Sequence, residues 1–195
     1  MIFDKRTELQ AFMDKIVREN GSRIVKVTSY VPSFSTRDTI VYMIDDPLFI
    51  IFENGMALII FYRNVCCADI EYRPLTMEEK DELSKITCND FFNVVYDLYD
   101  YQTKDLCKRV TLNMDYDCLE KIEVRFFEGS YEEWEKGNIV TKSGTEENFG
   151  EIVFVMKNGN TVHIMPEHAE MDGYLDIWAS TDYENIQEFD CGRQR

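Results

Sequence analysis

The stretch "IIFENGMALIIF", residues 50–61, sets Asn54-Gly55 between two apolar runs, and "FVMKNGNTVHI", residues 154–164, does the same with Asn158-Gly159. Asn-Gly is the strongest short-range hairpin signal, because a type I′ turn needs positive φ at both central residues and these two tolerate it best. "LFIIFE" is therefore expected to pair antiparallel with "MALIIFY", and "EIVFVMK" with "TVHIM". The first pair is almost wholly apolar, the pattern of a hairpin covered on both faces.

Working outward, Leu9, Phe12, Met13, Ile16 and Val17 follow the i, i+3, i+4 spacing of an amphipathic helix that Asn20-Gly21 can end. "RIVKVTSYV" and "TIVYMI" read as strands, as does "ADIEYR" before Pro74. Thr76-Met-Glu-Glu79 is a capping-box pattern that opens a helix. Thr87 starts a second expected helix, with Phe91, Val94, Val95, Leu98 and Tyr101 on one face, although Phe92, Val94, Tyr96 and Leu98 also alternate as in a strand. Alternation returns in "VTLNMDY" and "KIEVRFF". Ser130-Tyr-Glu-Glu133 repeats the capping-box pattern and predicts a short helical turn ended by Gly137. The polar segment from Lys136 to Gly150 reads as a loop, and "YLDIWAS" as a strand.

These elements predict an α+β fold, mainly antiparallel sheet, with an N-terminal helix and helical segments between two β units. Residues 1–195 form a single compact domain in this reading, the units covering 22–75 and 109–182 and joined by a helical segment 76–108. In each unit an alternating strand (Val25 to Tyr30; Ile122 to Phe127) precedes an Asn-Gly hairpin and then a strand containing Asp-Ile (Asp69-Ile70; Asp176-Ile177). The hairpins correspond at an offset of 104 (Asn54 to Asn158) and the Asp-Ile strands at 107 (Asp69 to Asp176). An internal duplication is one reading of this correspondence; two unrelated units that share a common turn is the other.

Composition narrows the function. A formal charge of −16 is concentrated beyond residue 108, where eight basic residues face nineteen acidic ones. Such a surface repels phosphate and anionic lipid, so neither nucleic acid nor a membrane is expected as a partner; acidity by itself is first of all a means of staying soluble, and complementing a basic protein is the sharper reading. No apolar run approaches the roughly 20 residues that cross a bilayer. The six cysteines form no CxxC pair and lack the density of a stapled scaffold, so they are expected as reduced thiols in a cytoplasm.

Chemistry-bearing motifs are few. Both histidines lie in "HIMPEHAEMD", where His163, Glu167 and His168 offer an alternative metal or hydrolytic site, but Pro166 between them keeps a regular element from presenting both on one face. No GxSxG elbow or phosphate-binding glycine loop occurs, and neither a catalytic residue nor a cofactor is expected. The unusual composition is aromatic and acidic: Tyr96, Asp97, Tyr99, Asp100 and Tyr101, and again Tyr131, Glu132, Glu133 and Trp134. Aromatic anchors ringed by charge have the make-up of binding hot spots, while plain core packing of those side chains is the competing account. The resulting expectation is a non-catalytic, acidic cytoplasmic protein that binds a basic partner. A bacterial immunity or antitoxin-type inhibitor of a toxin is one concrete version, and a small hydrolase or metal-dependent enzyme is the alternative.

Overall fold

Three residues close each Asn-Gly hairpin, and only the glycine has positive φ: +81° at Gly55 and +89° at Gly159. The type I′ turn is thus replaced by a type I-like turn followed by a left-handed glycine, the usual geometry of a three-residue loop. Gly55 N donates to Phe52 O at 3.0 Å and Gly159 N to Met156 O at 2.9 Å. Asn54 Oδ1 accepts from Met56 N, and Asn158 Oδ1 from Asn160 N. Asparagine therefore serves through its side chain and not through its own φ.

A computed structural model describes residues 6–20, 23–30, 33–36, 40–44, 47–64, 67–86, 90–100, 102–135, 139–166, 175–180 and 184–188. Helix α1 (Arg6–Asn20) buries Leu9, Met13 and Ile16, as its periodicity predicts. The first sheet has the order β1-β4-β5-β6, with β1 (Ile24–Thr28), β4 (Leu48–Phe52), β5 (Met56–Asn64) and β6 (Cys67–Pro74), all antiparallel. The second has the order β2-β3-β12-β11-β10-β9, with β2 (Ser33–Thr36), β3 (Ile40–Ile44), β9 (Leu119–Glu135), β10 (Ile139–Met156), β11 (Thr161–Pro166) and β12 (Leu175–Ser180). A third, β13-β8-β7, joins β7 (Asn93–Tyr99), β8 (Leu106–Asn113) and β13 (Glu184–Glu188). Helix α2 (Met77–Ser84) follows β6 and carries the expected capping box, Thr76 Oγ1 accepting from Glu79 N and Glu79 Oε2 from Thr76 N.

The α+β class and its antiparallel character stand, but four local expectations do not. The helix expected from Thr87 is strand β7, so the helical segment 76–108 shrinks to α2 and is followed by the β7–β8 hairpin. Valine and tyrosine suit either periodicity. Pairing of Tyr96 with Val110 and Val94 with Leu112, both partners buried, selects period two. The helical turn expected at Ser130–Glu133 and the loop expected from Lys136 to Gly150 are, among the described residues, the long strands β9 and β10, paired from Met156↔Leu119 out to Ile139↔Glu135. Cys107, expected as a thiol, is disulfide-bonded, whereas Cys118 is free.

The two units share more than a turn. Ile50↔Leu58 and Ile60↔Ile70 in the first sheet correspond to Phe154↔Val162 and Ile164↔Ile177 in the second, at the offsets 104 and 107. Ile24↔Phe52 corresponds to Leu119↔Met156, which aligns the first strands at an offset of 95 (24 to 119), two residues from the match that alternation alone offers. Each first strand is bulged at the same place, Val25 in β1 and Glu120 in β9 being skipped by the register. The equivalent residues Arg23 and Cys118 pair with each other in an isolated antiparallel bridge. Glu53 N donates to Arg23 O, and Lys157 N to Cys118 O, both at 2.9 Å. One core cluster takes Leu58, Ile60 and Ile70 from the first and Phe154, Val162 and Ile177 from the second, with α1 packed on β9.

Candidate functional site

The aromatic and acidic hairpin β7–β8 is largely committed to structure. Val94 and Tyr96 pack against the core, leaving Val95 and Tyr99 exposed on the opposite face. Asp97 receives two hydrogen bonds from Arg109, at 2.6 and 2.8 Å, and that guanidinium holds its carboxyl below the ordinary range. Asp100 is a turn residue: its Oδ1 accepts from Gln102 N and Thr103 N at 2.8 and 2.7 Å. Residues 93–113 hold three acids and three bases, so the hairpin is electrically balanced. Tyr101 lies outside the described residues.

The second cluster is placed differently. β11 pairs with β10 only from Ile152 to Val155, whereas β9 follows β10 far beyond, through Asn148↔Phe127, Gly144↔Tyr131, Ser143↔Glu132, Lys142↔Glu133 and Val140↔Trp134. Beyond Glu151 the two strands continue, among the described residues, as a two-stranded arm, roughly 30 Å long at 3.4 Å per residue. Its segment 127–149 carries six acids and two lysines. Glu128 stands opposite Glu147 in the register. Tyr131, Glu132, Glu133 and Trp134 therefore sit together near the end of this arm.

His163 belongs to a third constellation, at the arm's root. One cross-strand row reads Glu123↔Val153↔His163↔Trp178, and Arg125↔Glu151 lies beside it. His163 Nδ1 meets Glu151 Oε1 at 2.6 Å and its Nε2 meets Thr161 Oγ1 at 2.9 Å, with the ring stacked on Trp178 at a centroid distance of 5.2 Å. Arg125 donates to Glu151 Oε2 and to Glu123 Oε2. Lys121 and then Arg125 hold the Glu123 carboxyl below its ordinary range. The order hydroxyl, imidazole, carboxylate is that of a catalytic triad. Here it also knits β9, β10, β11 and β12 across the sheet face. Glu167 and His168 lie outside the described residues, and among the described residues no three His, Cys, Asp or Glu side chains cluster as a metal site. The Glu151 partner of His163 was missed in the sequence, since the two are twelve residues apart and become neighbours only through the β10–β11 register.

An open cleft of about 320 Å³ lies elsewhere, lined by Phe12 of α1 and by Ile70, Glu71, Tyr72 and Arg73 of β6. No helix among the described residues is long and apolar enough to cross a membrane. Comparison with protein-family models, curated proteins and solved structures finds no match.

Proposed function

We propose that this chain is a non-catalytic, acidic binding protein whose β9–β10 arm engages a basic protein partner, as an immunity or antitoxin-type inhibitor engages a cationic toxin. The observation that carries this reading is the arm itself: the two longest strands run past their sheet with a net excess of four acids over residues 127–149 and hold Tyr131 and Trp134 near its end. A two-stranded ribbon is marginal alone, so a cationic surface laid on its acids also steadies it. Long-range attraction speeds encounter, while aromatic anchors slow dissociation. Nucleic acid is disfavoured by the same charge. The cytoplasm is the proposed location, with the Cys107 disulfide weighing against it because reducing compartments keep thiols free.

Isolation of bound protein from the native host tests this. The partner is expected to be basic, released by salt, lost on joint Glu132→Lys and Glu133→Lys exchange, released faster by Trp134→Ala, and indifferent to Tyr99→Ala. Partner binding that depends on Tyr99 and ignores the arm would move the interface to β7. A monomer with no partner that hydrolyses an ester, and loses this on His163→Ala, would favour the hydrolase reading that the Thr161–His163–Glu151 order supports.

The two units are read in this proposal as copies of one ancestral segment. Shared registers, the bulge at Val25 and Glu120, and the Arg23–Cys118 bridge support it, since unrelated hairpins have no reason to agree in all three.

A further inference from the structure

We propose that the outward face of the third sheet, β13-β8-β7, is a self-association surface through which two copies of this chain pair about a twofold axis. The sheet has two unlike faces because successive strand side chains alternate. Val110 and Leu112 of β8 are buried, and Val94 and Tyr96 of β7 pack against the core. The intervening residues make up the other face: Val95, Asp97 and Tyr99 of β7, Arg109 and Thr111 of β8, and Gln187 of β13. None of these six is buried, and Val95 and Tyr99 are 55% and 57% exposed. They flank Asp97, whose carboxylate accepts two hydrogen bonds from Arg109, at 2.6 and 2.8 Å. Two apolar side chains left in water around a neutralised ion pair have the make-up of a small interface.

Charge selects a second copy as the occupant. The chain carries −16, so two copies repel each other at long range. The six residues of this face hold one acid and one base, a net charge of zero, so contact through it adds no like-charge juxtaposition to that repulsion. The ion pair is also its own complement. Asp97 and Arg109 stand opposite each other in the register. A twofold axis in the contact plane, running along the strands between β7 and β8, therefore lays Asp97 of each copy over Arg109 of the other. An isologous contact requires such self-complementarity. A basic partner finds no excess of acid here to bind.

Size sets the strength. Three strands about 4.8 Å apart and about seven residues long, at about 3.4 Å per residue, present roughly 350 Å² of sheet per copy. A stable complex buries roughly 800 Å² per partner, so this dimer is weak and concentration-dependent.

The test is analytical ultracentrifugation of the full chain from about 1 µM to about 1 mM, the range that so small a contact calls for. A monomer is expected at the low end and a dimer at the high end. Added salt should favour the dimer, because screening relieves the repulsion between two chains of charge −16, whereas it releases the partner of the arm. Val95→Ala and Tyr99→Ala together should weaken dimerisation about tenfold or more, while Glu132→Lys with Glu133→Lys should not weaken it. Arg109→Asp and Asp97→Arg variants, each with the parent's circular dichroism, should be monomeric alone and associate when mixed, since each then supplies the charge that the other lacks. A monomer at every concentration, even one whose Tyr99 binds a different protein, would overturn the surface. So would a dimer indifferent to Val95 and Tyr99, or charge variants that associate no better mixed than alone. None of these results touches the arm, whose partner is lost through Glu132 and Glu133 and ignores Tyr99→Ala.

Discussion

The outer faces of the two sheets occupy the same register positions and carry opposite chemistry. Phe49, Ala57 and Ile59 in the first unit correspond to Val153, Thr161 and His163 in the second, all at the offset 104 (49 to 153, 57 to 161, 59 to 163). In the first unit these residues join Leu83 of α2 in a small buried cluster, with Tyr30 set edge-on against Phe49 at 5.1 Å. In the second Thr161 and His163 join Glu151, Arg125, Glu123 and Trp178 in one polar network, and Val153 alone stays apolar and buried. The chain after β6 turns back as α2, whereas the chain after β12 leads to β13, which pairs with β8. An outer face follows the element that covers it. Inner faces meet in one core and stay apolar in both units.

The comparison breaks first at Phe49 and Val153. Phe49→Ala is expected to cost about 3–5 kcal/mol, the usual penalty for emptying a buried aromatic site. Val153→Ala at the equivalent position should cost about 2 kcal/mol, for fewer carbons lost. Urea unfolding with unchanged m-values measures both, and equal costs would mean that the two faces are packed alike.

Next in size is the clamp that holds α2 over the first unit. Arg73 binds Glu79 through two hydrogen bonds, which with the Thr76 cap bring the Glu79 carboxyl down to about 2. A depressed carboxylate adds stability that is complete above its unfolded value near 4.5 and is lost as pH falls through about 2. Discounted for the partial exposure of Arg73, the contribution is about 2 kcal/mol. Glu79→Gln should therefore be less stable at neutral pH, its acid-unfolding curve converging with the parent's near pH 2. Curves that stay parallel would show that the clamp carries no linkage.

The smallest effect sharpens the likeness of the units. An alanine Cβ at Gly55 or Gly159 meets nothing within 4 Å, so only the left-handed φ opposes it. Each substitution should cost about 1 kcal/mol and lower Tm by about 3 °C. Differential scanning calorimetry of the two variants should give matching shifts, and a much larger shift at one glycine would show that the two turns are not equivalent.

Part of the candidate site was legible before any coordinates. Tyr131, Glu132, Glu133 and Trp134 stood out by composition, but the same Ser130-to-Glu133 pattern reads as a helix start, and the polar run that follows reads as a loop. A ribbon polar along both strands has no apolar alternation to read. Only its register against β10 reveals it. Tyr96 and Asp97 carry the same composition, and there the structure adds packing of Tyr96 against the core and hydrogen bonding of Asp97 to Arg109.

Local physics within the chain determined α1, the α2 capping box and the two glycine-closed hairpins, because each depends on residues no more than a few positions apart. Pairing across long separations decided the rest: β7 as a strand, β9 and β10 as an arm, His163 beside Glu151, and the cleft that β6 lines together with Phe12. A period or a turn residue states what one segment can form. Which neighbour it meets is set by the shared core and by closure of strand edges, and both are properties of the assembled sheets.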